Sequence, residues 1–125
     1  MADTGNRSIE VFITNDIGAD LVVESASLSE ASSWMSGEEA ETGNMLEEFQ
    51  TVIVGVKTED EGRGVSGSVT FGGFGEGPVR IDFANDSDGQ SLVTVTPNDK
   101  VQGEVEEVEG EEESHAKFRV QLHRV

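Results

Sequence analysis

Apolar and polar residues alternate along most of this chain, and turn-forming residues separate the alternating runs. In SIEVFITN, for example, Ile9, Val11 and Ile13 share one face, which is the two-residue period of a strand with one buried side. The runs VRIDFAN and AKFRVQLHRV repeat this period, and turn sequences such as TEDEGRG and NDSDGQ lie between the runs. Short strands broken by regular turns are typical of sandwiches and barrels. The pattern therefore predicts an all-β fold, a single-domain antiparallel β-sandwich of about seven to nine strands.

The same pattern places individual strands. SIEVFITN and LVVESASL, joined by the turn-like DIGAD, are interpreted as an opening β-hairpin. The run from Phe49 to Thr58 is apolar at both odd and even positions, which predicts a central strand covered on both faces. Residues 27–48 interrupt the rhythm, and their glycines and serines favour a long loop over the alternative of a short helix at 44–48. Further strands are predicted at residues 65–73, 79–85, 91–96, 101–108 and 116–125.

The size and composition of the chain fit one folded domain. We predict a single domain over residues 1–125, with a flexible N terminus at 1–7. Val and Ile together number 21 whereas Leu and Met number 8, a bias toward side chains that suit a pleated sheet. Cysteine is absent, which excludes a thiolate metal site. The sequence shows neither a secretory leader nor an apolar run that could cross a membrane, so we expect a soluble, cytoplasmic protein.

The net charge of the chain restricts the classes of molecule that it can bind. The chain has 26 Asp and Glu residues against 8 Lys and Arg, a formal net charge of -18. Nucleic acid is therefore not expected as a partner, because its phosphates would be repelled. The acidic residues are dispersed, with 14 in residues 1–62 and 12 in residues 63–125. This distribution indicates an acidic surface over the whole fold rather than an acidic tail.

The densest acidic run, EVEEVEGEEES, extends from Glu104 to Ser114 and contains seven carboxylates. Because a strongly patterned strand follows it, we place the run inside the fold as an edge hairpin, with Gly110 in its turn. A bulge near Glu106 and Glu107 would keep all of its valines inward. The carboxylates on its outer face would block unwanted strand pairing.

The acid excess also makes a prediction about salt. Alternate residues on one strand face are only about 7 Å apart, and charges at that distance repel at ~0.1 M salt but are largely screened at ~1 M. Few lysines, many surface acids and a core of small Val and Gly residues resemble the proteins of salt-accumulating halophiles. We therefore expect marginal stability in dilute buffer, a steep gain with KCl, and a salt-rich cytoplasm as the environment.

Catalytic constellations are sparse in this sequence. His115 and His123 share one predicted strand but would lie about 27 Å apart along it. GVSGS lacks the second glycine of a nucleophile elbow, and GGFGEG lacks the lysine of a phosphate-binding loop. We therefore expect a protein that is not an enzyme and that needs no cofactor.

A metal site finds little support in the sequence. Aligning NDSDG to an EF-hand puts Ala84 and Val95 at the first and last ligand positions, so that motif fails. A calcium site of another kind, using Asp82, Asp86 and Asp88, is the remaining alternative to ordinary turn chemistry. We expect no metal.

Binding through loops and surface stripes is the chemistry that remains. Trp34 and Phe74 fall in predicted loops, where an aromatic side chain either inserts into a ligand or membrane or caps the core. Lys117, Arg119 and His123 form a basic stripe on one face of the last strand. That stripe would dock on an acidic hairpin, either of the same chain or of a neighbouring copy.

Two stretches make the chain resemble the aegerolysins, a family of small acidic β-sandwich proteins. RSIEVFITNDIGADLVVESASLSEASSW is similar to the family's first hairpin, with Asn15 and Gly18 in the turn and Trp34 closing the segment. GRGVSGSVTFGGFGEGPVRIDFANDSDGQS is similar to its central strands, which end here in a turn with Asn85 and Gly89. The resemblance implies a two-sheet sandwich, affinity for membrane lipids and, in some members, pore formation with a larger second protein. This chain would be a halophilic variant.

The leading hypothesis is a non-catalytic binding module that engages a membrane lipid or a larger partner protein through Trp34 and Phe74. The alternative is a structural protein that self-associates, as a homodimer for example, through an uncovered sheet face. A carbohydrate-binding sandwich is a third possibility, which the scarcity of aromatic residues disfavours.

Overall fold

A computed structural model of the chain describes residues 5–88, 90–108 and 114–125. These residues form ten strands and no helix, and none of them therefore belongs to a helix that could cross a membrane. The strands are β1 (Arg7–Asp16), β2 (Leu21–Leu28), β3 (Ser33–Trp34), β4 (Met45–Leu46), β5 (Thr51–Thr58), β6 (Val65–Gly72), β7 (Val79–Asn85), β8 (Ser91–Thr96), β9 (Val101–Glu107) and β10 (His115–Arg124).

The strands form two five-stranded sheets that pack face to face. Sheet A has the order β3-β5-β1-β10-β9, and sheet B has the order β4-β2-β6-β7-β8. The predicted all-β sandwich is confirmed, and two of its ten strands are only two residues long. One pairing departs from the antiparallel prediction, because β1 and β10 run parallel at the centre of sheet A. They can do so because the eight strands between them return the chain to the end where β1 began.

The predicted opening hairpin is wrong, because β1 belongs to sheet A and β2 to sheet B. The connection at residues 17–20 crosses from one sheet to the other instead of turning within one. Ile17 explains this path, since its side chain is buried between the sheets although it follows directly after β1. Gly18 then takes a positive φ of 80°, a conformation that glycine adopts without strain.

The core consists of the inward faces of both sheets. Ile9, Val11 and Ile13 of β1 are fully buried, as their alternation predicts. They belong to the same apolar cluster as Phe71 of β6 and Ile81 of β7. Burial of these faces supplies most of the driving force for folding.

Two fully buried asparagines fasten the ends of the sandwich. Asn15 Nδ2 donates to Ala19 O (2.7 Å) and to Leu46 O (2.9 Å), and its Oδ1 accepts from Ile17 N. At the other end, Asn85 Nδ2 donates to Ser8 O at 2.9 Å, which joins β7 to β1 across the sheets. Because both side chains are 0% exposed, these bonds satisfy polar groups that water cannot reach.

The strand from Thr51 to Thr58 is less covered than its sequence suggested. Val54 and Val56 are buried on the inward side, whereas Ile53 on the outward side is 37% exposed. Residues 35–44, here called the strap, run beside this strand, and Gly55 N donates to Glu38 O at 3.0 Å while Met35 N donates to Gly55 O at 2.9 Å. A side chain at Gly55 would meet the Glu38 carboxyl and Met35 Sδ. Residues 27–48 contain no helix, as predicted, but the predicted loop is interrupted by the two-residue strands β3 and β4.

The acidic run is an edge strand, but its predicted bulge is wrong. β9 pairs with β10 in continuous register from Val101 to Glu107, and it is the last strand of sheet A. Without a bulge, Val101 is buried while Val105, at the open side of the sandwich, is 40% exposed. The turn predicted at Gly110 lies outside the described residues, as does Gly89 of the earlier turn.

The N-terminal segment is described from Gly5 onward. Of the predicted flexible residues 1–7, residues 1–4 lie outside the described part of the chain. Asn6 N donates to Thr58 O at 2.8 Å, and Arg7 begins β1. Arg7 Nη1 also donates to Asn85 Oδ1 at 3.0 Å, which ties the start of β1 to the buried asparagine.

Candidate binding site

The loops of the sandwich collect at two opposite ends. Antiparallel pairing of β1 with β5 fixes these ends, because Arg7 lies beside Thr58 and Thr14 lies beside Thr51. The Phe49 end consists of residues 17–20, 47–50, 73–78 and 97–100, together with the C terminus. The Trp34 end includes residues 29–34 and 59–64.

Phe49 is the most exposed aromatic side chain described at either end, at 67%. Its backbone has a φ of 64°, in the left-handed region that residues other than glycine seldom occupy. Phe49 N donates to Asn15 O at 2.7 Å, and Asn15 N donates to Gln50 O at 2.9 Å. The loop is thus tied to β1 at both sides of the phenylalanine. Such strain persists only where the surrounding structure imposes it, and it concentrates at functional sites.

Neighbouring side chains hold the rest of this loop. Glu48 N donates to Asp20 Oδ1 at 3.0 Å, and Glu47 N donates to Gln50 Oε1 at 2.8 Å. Met45, four residues before Phe49, is also exposed, at 52%. The segment therefore presents two apolar side chains to solvent from a fixed backbone.

Phe74 lies at the same end as Phe49 but is only partly exposed. Its ring packs against the core, and the guanidinium carbon of Arg124 lies 4.8 Å from the ring centroid, within the range of a cation–π contact. Arg124 Nε donates to Ile17 O at 2.6 Å, and Asn98 Nδ2 donates to Phe74 O at 2.8 Å. These contacts give Phe74 a fixed position beneath the surface of this end.

Trp34 lies at the opposite end, so the structure does not bring the two predicted site residues together. Trp34 pairs with Val56 on β5, and its partly buried ring packs against the core. Its role as a ligand or membrane contact stays a prediction. Phe49 was not predictable as a site residue, because the apolar pattern places it at the first position of a strand and its positive φ has no sequence signature outside glycine and asparagine.

The basic stripe faces the acidic strand of its own chain. Arg119 Nη1 lies 3.2 Å from Glu106 Oε1, and His123 Nε2 lies 3.6 Å from Glu104 Oε1. Lys117, the third member, is beside Glu10 of β1 and half-buried. Of the two docking partners predicted for the stripe, the described contacts are with the same chain. Exposed pairs of this kind contribute little stability individually.

A close pair of carboxyl groups lies between the strap and sheet A. Glu38 and Glu10 are hydrogen-bonded, and Glu38 Oε1 is buried without a hydrogen-bond partner among the described residues. Burial raises the pKa of Glu38 to about 7, and the hydrogen bond to Glu10 and the negative charge of Glu10 add to the rise, whereas the Lys117 ammonium opposes it. Glu38 therefore holds a proton at mildly acidic pH.

The residues weighed for metal binding and catalysis do not converge. Asp82 Oδ1 accepts from Arg80 Nε at 2.9 Å, and Asp88 Oδ1 accepts from the backbone of Gln90. His115 Nδ1 is 2.9 Å from Ser8 Oγ, at the end of β10 remote from His123. Within residues 5–88, 90–108 and 114–125, no three His, Asp or Glu side chains are grouped for a metal ion.

The outer face of sheet B contains a shallow depression of about 410 Å³. Hydroxyl groups line much of it, including those of Ser27 and Ser68, which are 3.1 Å apart. Phe83, the aromatic residue in its lining, is 2% exposed. A sugar ring would therefore find no aromatic platform here, which weighs against the carbohydrate-binding alternative.

Comparison with known proteins shows the fold and does not show a family. No family model and no curated protein matches the sequence. The structure is similar to IP-1A from Alcaligenes faecalis, with a TM-score of 0.68, 14% identity, and coverage of 97% of this chain and 93% of that one. It is also similar to Nakanori, described as a lipid binding protein, with a TM-score of 0.71, 12% identity, and coverage of 96% of this chain and 72% of that one.

Proposed function

We propose that this protein is a non-catalytic, aegerolysin-like lipid-binding module that docks on a membrane surface through its Phe49 end. The exposed and backbone-strained Phe49 carries the proposal, since an aromatic ring held in water by an ordered loop is suited to insertion at a lipid interface. The similarity in fold to Nakanori supports it. Met45 adds a second exposed apolar side chain on the same segment.

The charge of this end favours a zwitterionic membrane over an anionic one. Asp16, Asp20, Glu47 and Glu48 lie in or beside the loops that hold Phe49, and an anionic surface would repel them. Molar salt would screen the charge that the whole protein carries and permit close approach. We therefore propose a salt-rich working environment and a neutral lipid surface.

Vesicle sedimentation in ~1 M KCl tests the proposal. The parent protein should sediment with phosphatidylcholine vesicles, and Phe49→Ala should weaken binding about tenfold, because about 1.5 kcal/mol of apolar burial is lost. Trp34→Phe, a conservative change at the opposite end that keeps an aromatic ring packed against the core, should bind as the parent does. Failure of the parent to bind any vesicle composition would overturn lipid binding.

Phe74 offers a second test of which end engages the lipid. Since Phe74 lies beneath Arg124, which in turn donates to Ile17 O, Phe74→Ala should loosen the Phe49 end and weaken vesicle binding less than Phe49→Ala does. If Trp34→Phe weakens binding while Phe49→Ala does not, the contact lies at the Trp34 end instead. Circular dichroism of each variant verifies that the sandwich is retained.

A further inference from the structure

β9 ends sheet A with a free edge in the described structure. Sheet A runs β3-β5-β1-β10-β9, and none of the described strands pairs with β9 on the side away from β10. A seven-residue edge strand leaves alternate backbone N–H and C=O groups without a strand partner. Another extended segment could form hydrogen bonds with these groups. The side of the sandwich opposite β9 is occupied by the short strands β3 and β4 and by the strap.

The apolar side of this edge is incompletely covered. Val105 faces the interior with its β10 neighbour Val120, yet Val105 is 40% exposed whereas Val120 is 1% exposed. Glu107, two residues further along, reaches across to Ser91 of β8, with 3.5 Å between Oε2 and Oγ. An additional strand beside β9 would cover Val105 with an apolar side chain of its own.

The outer side of the edge is anionic and has room for long side chains. A depression of about 410 Å³ adjoins β9 there, and Glu104, Glu106, Arg119 and Gln121 are among its lining residues. The side chains of Glu104 and Glu106 are 78% and 72% exposed, so most of each carboxylate still faces water. β8, the long edge strand of sheet B, has no charged residue in its sequence SLVTVT.

β10 shows which sequence pairs well with β9. Its outward residues Arg119 and His123 approach Glu106 and Glu104, and its inward Val120 pairs with Val105. Basic residues outside and apolar residues inside therefore match both faces of β9. A segment with this alternation would meet the same two faces from the free edge.

We propose that β9 binds an extended segment of a partner protein, in which basic residues alternate with apolar ones, as a sixth strand of sheet A. Backbone hydrogen bonds supply affinity, while Glu104, Glu106 and Val105 select the sequence of the segment. The same carboxylates repel a second copy of β9, so the edge rejects self-pairing while it accepts a basic strand. At low ionic strength the net charge of -18 also steers a basic partner toward the protein, an attraction that molar salt screens.

The test uses the full chain and three synthetic heptapeptides, capped at both ends. One alternates Arg with Val, the second alternates Glu with Val, and the third repeats the Arg–Val sequence with N-methylated backbone amides. Only the first should bind and slow hydrogen exchange of the β9 amides. Binding should weaken as KCl rises, because the charge contribution is screened.

Two double variants distinguish the edge from general attraction to an acidic surface. Glu104→Gln with Glu106→Gln should weaken the Arg–Val peptide at least fivefold, whereas Glu30→Gln with Glu41→Gln removes the same charge from exposed sites elsewhere and should weaken it less than twofold. Equal losses in the two variants would overturn the proposal. Binding of the N-methylated peptide as tightly as its parent would do so as well. Vesicle binding is unaffected by either result, so the two proposals fail independently.

Discussion

Among the residues that the structure describes, two with side chains hold left-handed backbone conformations, one at each end of the sandwich. Phe49 has a φ of 64° and Ala31 a φ of 70°, and each costs about 1 kcal/mol relative to glycine in that conformation. The two positions differ in what they present. Ala31 places a methyl group in a serine-rich turn, where Ser32 N donates to Ser29 O at 3.1 Å, whereas Phe49 places an aromatic ring in solvent.

Substituting glycine for Phe49 and for Ala31 should separate the effect of backbone strain on stability from the effect of the aromatic ring on membrane binding. Phe49→Gly and Ala31→Gly should each raise the free energy of unfolding by about 1 kcal/mol, because the strain is relieved. Phe49→Gly should also weaken vesicle binding about tenfold, while Ala31→Gly leaves it unchanged. Urea denaturation and vesicle sedimentation measure the two effects. If Phe49→Gly binds vesicles as well as the parent, the ring is not the contact.

The hydrogen bonds of the buried Asn15 lead to a second prediction at the residue scale, which concerns the free energy of unfolding. Asn15→Ala would leave Ala19 O, Leu46 O and Ile17 N without their partners, which should cost about 3 kcal/mol. The exposed Asn44 provides the control, since Asn44→Ala should change stability by less than about 0.5 kcal/mol. Denaturation by urea tests both. Similar stability of the two variants would mean that Asn15 does not fasten the sheets.

At the scale of elements, the strap is attached to sheet A through a titratable contact. Glu38 lies over Gly55 and is hydrogen-bonded to Glu10, with Glu39 and Lys117 also acting on its charge. The pKa of Glu38 is raised from its usual 4.5 to about 7. The folded state therefore holds this proton more tightly than the unfolded chain does, and loss of the proton places two carboxylates in contact.

Stability should consequently fall as pH rises from about 4.5 to about 7, the interval between the unfolded and folded pKa values of Glu38. Glu38→Gln cannot ionise and should flatten this part of the profile, whereas Glu41→Gln, an exposed change on the same strap, should not. Thermal melts of the parent and of both variants, at fixed salt and across this pH interval, measure the pH dependence of stability. A parent profile that rises toward pH 7 would contradict the assignment.

The alternation of residues predicted most of the elements, because a two-residue period with one buried face fits a strand and little else. β8 at Ser91–Thr96 agrees residue for residue with the prediction. The sheet to which a strand belongs was not predictable in this way, since β1 and β2 have the same pattern whether they pair or lie in opposite sheets. The apolar residue Ile17, which lies within the sequence predicted as a turn, indicates that the chain passes through the core between β1 and β2.

The candidate site was predicted only in part. Phe74, an aromatic residue in a predicted loop, lies at the proposed end, whereas the sequence pattern places the exposed Phe49 in a strand that in the structure begins only at Thr51. The predicted bulge near Glu106 assumed that every valine of an edge strand is buried, whereas an edge offers cover from one side only and leaves Val105 partly exposed.

At the scale of the whole molecule, acidic side chains surround a core of valine, isoleucine and phenylalanine. The formal net charge of -18 is large, and the ion pairs that Arg80 and Arg119 form with Asp82 and Glu106 are exposed to solvent. Such pairs contribute little each, so repulsion among the remaining carboxylates opposes the compact state.

Molar KCl should therefore stabilise the protein. The midpoint of thermal unfolding should rise steeply between ~0.1 M and ~1 M KCl, by about 4 °C for each kcal/mol of repulsion removed. The rise should be monotonic and should follow ionic strength, with NaCl giving a similar curve. A midpoint that barely moves would show that charge repulsion does not limit stability.

Tryptophan emission reports directly which end of the molecule meets a membrane. Trp34 is the only tryptophan of the chain, and Phe49→Trp in a Trp34→Phe background moves the probe to the other end. On addition of phosphatidylcholine vesicles in molar KCl, emission from position 49 should shift to shorter wavelength as the ring leaves water, while emission from Trp34 in the parent stays unchanged. A blue shift from Trp34 with none from position 49 would contradict docking through the Phe49 end.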